Sequence, residues 1–155
     1  MKIAVAGDHA GFELKEFLAK DLTATGHEVL DLGAHRVDPL DDYPDFAQRL
    51  GESLLDERAE RGVAICGSGV GISVALNKFP GLRAAVCHDT YSASQGVEHD
   101  NMNVLCLGER IIGPALAQQV VHAFVTARFT AEERHLRRLS KVQVIERRFL
   151  RDLPA

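Results

Sequence analysis

Short apolar runs rich in Val, Ile and Ala recur along the chain, separated by longer stretches in which apolar residues return at helical spacing. This alternation predicts βαβ units around a parallel sheet covered on both faces. Strands are expected near 2–6, 27–32, 62–66, 82–88 and 103–107. The spacing predicts a helix over 11–24, with Phe12, Phe17, Leu18 and Leu22 turned inward, and another over 44–60, with Phe46, Leu50, Leu54 and Leu55. Further helices are expected over 70–78, 90–97 and 114–127, and Gly26, Gly62 and Gly81 fall where helices should stop. Thr130 followed by Glu133 reads as a capping box that opens a basic, partly amphipathic helix over about 130–150. The class is therefore α/β: a three-layer α/β/α sandwich with a five-stranded parallel sheet, Rossmann-like in plan. No repeat, low-complexity stretch or linker interrupts it, so residues 1–155 read as one domain.

Composition agrees. A chain of 155 residues, 46% hydrophobic and 26% charged, has enough length to bury one core. The net charge of −4 supplies no overall field for nucleic acid or an acidic membrane surface, so an anionic ligand must be met by local basic residues. The opening run Met1 to Ala6 is too short for a signal h-region and is cut off by Gly7-Asp8, and no apolar run approaches the roughly 18 residues that span a bilayer. Cys66, Cys87 and Cys106 are odd in number, widely spaced and without a C-x-x-C pair. These features predict a reduced, cytoplasmic protein, with no paired-cysteine metal or redox signature.

Ligands of an open α/β sheet bind outside the carboxyl ends of its strands, so the residues that follow each strand are the ones to read. Here they are polar: Asp8-His9, Asp41-Asp42-Tyr43, Cys66-Gly67-Ser68-Gly69-Val70-Gly71, His88-Asp89 and Gly108-Glu109-Arg110. The third is the most informative, because a thiol and a hydroxyl set among alternating glycines lie where backbone N–H groups can converge on developing negative charge. Two readings of Cys66 stand side by side: a base poised by the start of the following helix, or a buried structural thiol of the kind expected for Cys87 and Cys106, which lack the glycine loop. Asp8 reads either as an acid–base group or as a helix N-cap, and Ser68 as an oxyanion donor or a turn residue.

In order along the chain, Gly7-Asp8-His9-Ala10-Gly11, Asp42-Tyr43-Pro44, the Cys66 glycine loop with Asn77-Lys78, Arg83-Ala84, and Asn103-Val104-Leu105 with Gly108 to Gly113 resemble the ribose-5-phosphate isomerase B family, which includes galactose and allose phosphate isomerases. The resemblance runs from about residue 2 to 148. It implies a metal-free aldose–ketose isomerisation through a cis-enediol with no cofactor, and ribose 5-phosphate and ribulose 5-phosphate as the default pair. Cys66 matches the family's base, and Ser68 with the N–H groups of Gly67, Gly69, Val70 and Gly71 its oxyanion hole. Asp8 matches the group that moves hydroxyl protons, His99 the ring-opening histidine, and His9 and Tyr43 fall in substrate-contacting positions. Phosphate is assigned to Arg134 and Arg138, spaced i, i+4, with Arg110 as a third candidate. His135, Arg137 and Lys141 are expected on a solvated face, and His27, His35, His88 and His122 in structural roles. Asp100, followed by Asn101, departs from the family's usual Asn directly after the histidine, and a carboxylate cannot donate as an amide does. Another sugar phosphate, such as allose 6-phosphate, galactose 6-phosphate or a tetrose 4-phosphate, is therefore the alternative substrate, and a non-catalytic sugar-phosphate or nucleotide-binding module is the alternative class. The resemblance further implies a homodimer or dimer of dimers with sites at the subunit interface.

Overall fold

The computed structural model describes residues 1–149. Five strands, β1 (Lys2–Gly7), β2 (Glu28–Asp31), β3 (Arg61–Cys66), β4 (Ala84–Val86) and β5 (Val104–Gly108), form one sheet in the order β2-β1-β3-β5-β4, every pair parallel. The helices are α1 (Phe12–Ala24), α2 (Tyr43–Leu55), α3 (Val70–Leu76), α4 (Thr90–Asp100), α5 (Pro114–Thr126) and α6 (Glu133–Phe149). Leu14, Leu18 and Leu22 of α1, Val97 of α4 and Val120 and Phe124 of α5 cover one face of the sheet. Phe46 and Leu50 of α2 with Ile72 and Leu76 of α3 cover the other. Strands sealed on both faces explain the unbroken apolar runs, since Ile3, Ala4, Val5, Val63, Ala64 and Ile65 are all fully buried. Among the described residues, no helix is long and apolar enough to cross a membrane.

Several expected boundaries move, each for a visible reason. The helix expected over 44–60 stops at Leu55, where Arg58 N–H turns back to the Ser53 carbonyl and Glu57 takes a positive φ. Gly62 is accordingly not a helix stop but part of β3, where a Cβ would stand 2.6 Å from Leu50 Cδ2. Gly26 does end α1, at φ +88°, with His27 N–H returning to the Leu22 carbonyl. Phe17 and Leu55 face outward, whereas Lys15 is fully buried and bonds Asp31 at the end of β2 at 2.8 and 3.0 Å. The expected capping box does not form: α6 begins at Glu133, and Thr130 instead ties its N–H and hydroxyl to the Glu98 carbonyl of α4. Position 150, the far end expected for this helix, lies outside the described residues.

Candidate active site

From β1 the chain turns one way to β2 and then crosses to β3 on the other side, so the carboxyl ends of β1 and β3 flank the point where the strand order reverses. A crevice opens at such a switch point. The cleft there, of about 400 Å³, is lined by Asp8, His9, Tyr43, Cys66, Ser68 and Arg110. That size lies in the lower part of the roughly 300–1,000 Å³ range of small-molecule sites. A more apolar hollow lies near the β4 edge beside α6, lined by Leu82, Met102, Val142, Ile145 and Phe149, but its walls hold no thiol, hydroxyl or imidazole. Chemistry converges on the smaller cleft.

Backbone contact between two loops shapes the cleft floor. Gly69 adopts φ +80°, and a Cβ there would press on the Leu107 carbonyl carbon at 3.0 Å. A Cβ on Gly108 would meet Ser68 Cα at 2.7 Å, so the turns after β3 and β5 touch main chain to main chain. Glu109 and Arg110 N–H groups donate to the Cys66 and Gly67 carbonyls at 3.0 and 3.1 Å, locking the turns together. Within the loop, Gly69 N–H donates to Cys66 Sγ at 3.1 Å and Val70 N–H to Ser68 Oγ at 3.3 Å. Two of the four N–H groups assigned to an oxyanion hole are thus engaged with the loop's own side chains. Gly71 opens room for Tyr43, whose ring would lie 2.9 Å from an added Cβ.

Asp8 is buried at the end of β1 and accepts from Ala10 N–H at 3.0 Å, so it caps a 3-10 turn over His9–Gly11 while also lining the cleft. Burial raises its carboxyl above the ordinary value, partly offset by His9. Asp41, which sequence reasoning passed over as a site residue, accepts from both the His9 backbone N–H at 3.0 Å and the ring Nδ1–H at 2.7 Å. That hydrogen bond raises the imidazole above its ordinary value. Asp8, His9 and Asp41 each bring a donor atom within 4.8 Å of the others, but His9 Nδ1 is already committed to Asp41, which leaves a carboxylate–imidazole pair rather than an open ligand set for a metal. No local spacing signals the pair, because its members are 32 residues apart. His88, expected to be structural, accepts from Gly108 N–H at 3.0 Å and so braces the same turn.

The remaining expected site residues lie elsewhere on the chain. His99 belongs to the last turn of α4 rather than to a loop, since the helix continues to Asp100 and closes on Asn101 at φ +52°. Asn101 is a cap whose carbonyl accepts from Arg83 Nε at 2.7 Å. Asp100 borders the apolar hollow. Asn103, just beyond, bonds Arg83 and Gly62 at the amino ends of β4 and β3, so this turn lies at the opposite end of the sheet from Cys66. β5 contributes five residues, which at about 3.3 Å each sets the two ends roughly 16 Å apart. Arg134 and Arg138 are exposed on α6, and Arg134 Nε donates to Glu132 at 2.9 Å. His135 is fully buried, not solvated as expected: its ring stacks on His99 with centroids 4.2 Å apart and its Nδ1 lies 2.7 Å from Thr130 Oγ1.

The sequence matches the Ribose/Galactose Isomerase family over residues 3–142. Ribose-5-phosphate isomerase B of Escherichia coli is 40% identical over 147 residues, covering 95% of this chain and 97% of that one. D-erythrulose-4-phosphate isomerase 2 of Mycolicibacterium smegmatis is 40% identical over 131 residues, covering 83% and 86%. The structure of Clostridium thermocellum ribose-5-phosphate isomerase B superposes with a TM-score of 0.92 at 42% identity, covering 96% of this chain and 99% of that chain.

Proposed function

This chain belongs to the ribose/galactose isomerase family and is a sugar-phosphate isomerase, and on that premise we propose that it interconverts ribose 5-phosphate and ribulose 5-phosphate through a cis-enediol. One observation carries the reading: a thiol, a hydroxyl and a buried carboxyl meet in a single cleft beside the basic side chains of His9 and Arg110. In the forward direction Cys66, as thiolate, removes the proton from C2 of the open aldose and returns it to C1. Ser68 and those N–H groups of the glycine loop that its own side chains leave free meet the oxyanion, a class of interaction worth about 2.7–4 kcal/mol per donor. Asp8 carries the hydroxyl proton between O1 and O2, for which a carboxyl raised by burial is suited because it is nearer the operating pH. Each step moves a proton between protein and substrate, and hydrogen-bond donors stabilise the charge, so the scheme requires no metal.

Ring opening and part of the phosphate clamp are assigned to His99, Arg134 and Arg138 of a second copy. The span of the sheet between His99 and Cys66 supports a shared site, as does the exposure of both arginines. The protein is accordingly proposed to act as a homodimer or a dimer of dimers. A tetrose 4-phosphate is the second reading of the substrate, favoured by the similarity to D-erythrulose-4-phosphate isomerase 2 and by Asp100. Four-, five- and six-carbon aldose phosphates, assayed for ketose formation with and without chelator, separate these readings. Cys66→Ala should abolish exchange of the C2 proton with solvent while substrate still binds, because the lost step is proton abstraction. Near-normal turnover in that variant rejects Cys66 as the base, and activity lost to chelator rejects the metal-free scheme.

A further inference from the structure

We propose that Asp41 is a positioning residue that fixes the His9 ring and keeps it protonated, so that its free Nε2–H meets the phosphate dianion of the substrate. The inference rests on the isomerase reading for the identity of the anion but not for the pair itself. A carboxylate can only accept, so the 2.7 Å contact to Asp41 Oδ1 puts a proton on His9 Nδ1 and leaves Nε2 on the opposite edge of the ring. Among the described residues Nε2 has no hydrogen-bond partner, and His9 lines the cleft together with Arg110. The same Oδ1 also holds the His9 backbone N–H at 3.0 Å, so ring and main chain are anchored at one point. Asp41 Oδ2 is buried without a hydrogen-bond partner, and the ion pair of Asp41 among the described residues is with His9. A carboxylate so enclosed favours a cation beside it, and the imidazole is the group placed to supply one.

Other charges near the pair do not take over this role. Asp8, on the β1 side, also favours the cationic ring but is held by Ala10 N–H. Cys66 and Arg110 approach from the turns after β3 and β5, and Tyr43 from the start of α2. On the far side of Asp41, His35, Arg36, Asp38 and Arg49 border a separate hollow, and none of them forms an ion pair with Asp41. Arg110 is a permanent cation, whereas His9 is one only while protonated. The clamp on this side of the cleft is therefore sensitive to pH, and Asp41 sets the pH at which it weakens.

The test is Asp41→Asn, which preserves shape and an acceptor oxygen while removing the charge. The His9 ring is followed by proton NMR titration, with inorganic phosphate as the probe ligand, and KM and kcat are measured from pH 5.5 to 8.5. In the unmodified protein His9 should titrate above the ordinary imidazole value of about 6.5, and its resonance should move on adding phosphate. In Asp41→Asn the midpoint should fall. Between the two midpoints, where only the parent's ring is protonated, the variant's KM should rise by up to roughly tenfold, the scale of one lost hydrogen bond to a charged group, with kcat little changed. Below both midpoints both rings are protonated and the variant has one negative charge fewer, so its KM there should equal or fall below that of the parent. A merely structural Asp41 would not produce this crossover. An unshifted His9 midpoint in the variant, or a KM ratio independent of pH, overturns the proposal, and an ordinary His9 midpoint in the unmodified protein overturns it without any variant. If no sugar phosphate is isomerised yet the midpoint moves as expected, the isomerase reading falls and the Asp41–His9 pair stands.

Discussion

Three thiols carried by one sheet occupy three different environments. Cys106 lies in the middle of β5, fully buried, and burial pushes its thiol well above the ordinary value. Cys87, beyond β4, is pushed up to about 11 by burial and by Asp89. Cys66 ends β3, accepts a hydrogen bond from Gly69 N–H and borders the cleft. Because the thiolate is the nucleophile, iodoacetamide at neutral pH should label Cys66 and leave the other two unmodified in the folded protein, with activity falling in step with incorporation. Peptide mapping by mass spectrometry checks this, and equal labelling of Cys87 would contradict the ordering. The contrast between the thiols was legible in the sequence, since one of the three carries glycines on its carboxyl side. The Asp41–His9 pair and the buried Lys15–Asp31 pair were not, because each joins segments that only the folded sheet brings together. Helical spacing misleads at one further position: Phe17, expected inward, is exposed, while Lys15, which carries no apolar signal, is fully buried.

Among the elements, the strand-to-helix turn after β3 depends on the turn after β5 as much as on itself. Gly108→Ala would set a Cβ 2.6–2.7 Å from the Ser68 main chain, where no side-chain rotation relieves the clash. Overpacking of this kind costs about 1–3 kcal/mol, and a displacement of about 1 Å at a reacting group can lower the rate about a hundredfold. The variant should therefore lose kcat far beyond its loss of stability, whereas Gly113→Ala, with open space around its Cβ, should leave kcat unchanged and lower stability only by the small cost of alanine at the N-cap of α5. Thermal unfolding measured beside steady-state kinetics separates the two effects. Most elements could be read from apolar spacing because parallel strands are buried on both faces. Their ends were harder: Glu57 and Asn101 adopt positive φ without being glycine, so the stop of α2 and the extension of α4 left no glycine to mark them. Thr130 carries a cap signature yet serves a tertiary tie to Glu98, a choice that depends on α4 lying beside α6.

For the whole molecule, the strand order locates the cleft before any side chain is considered, and it also separates His99 from Cys66 by the length of the sheet. The three-layer plan was legible because alternating strands and helices admit few topologies. Which helix end meets which strand end was not legible from spacing, and the residues that the resemblance assigns to one site divide between opposite ends of one sheet. If the proposed site draws on two copies, mixing Cys66→Ala with His99→Ala should restore activity, since a hybrid pair carries one site with both groups intact. Failure to recover turnover, with subunit exchange demonstrated by mass spectrometry of labelled chains, would require each chain to work alone. With a shared site, the stacking of His99 on His135 at the end of the sheet away from Cys66 acquires a kinetic meaning. Catalytic output would follow the law of mass action: on dilution below the dissociation constant of the pair, specific activity would fall in proportion to total protein, so the abundance of the chain would itself act as a rheostat on its turnover.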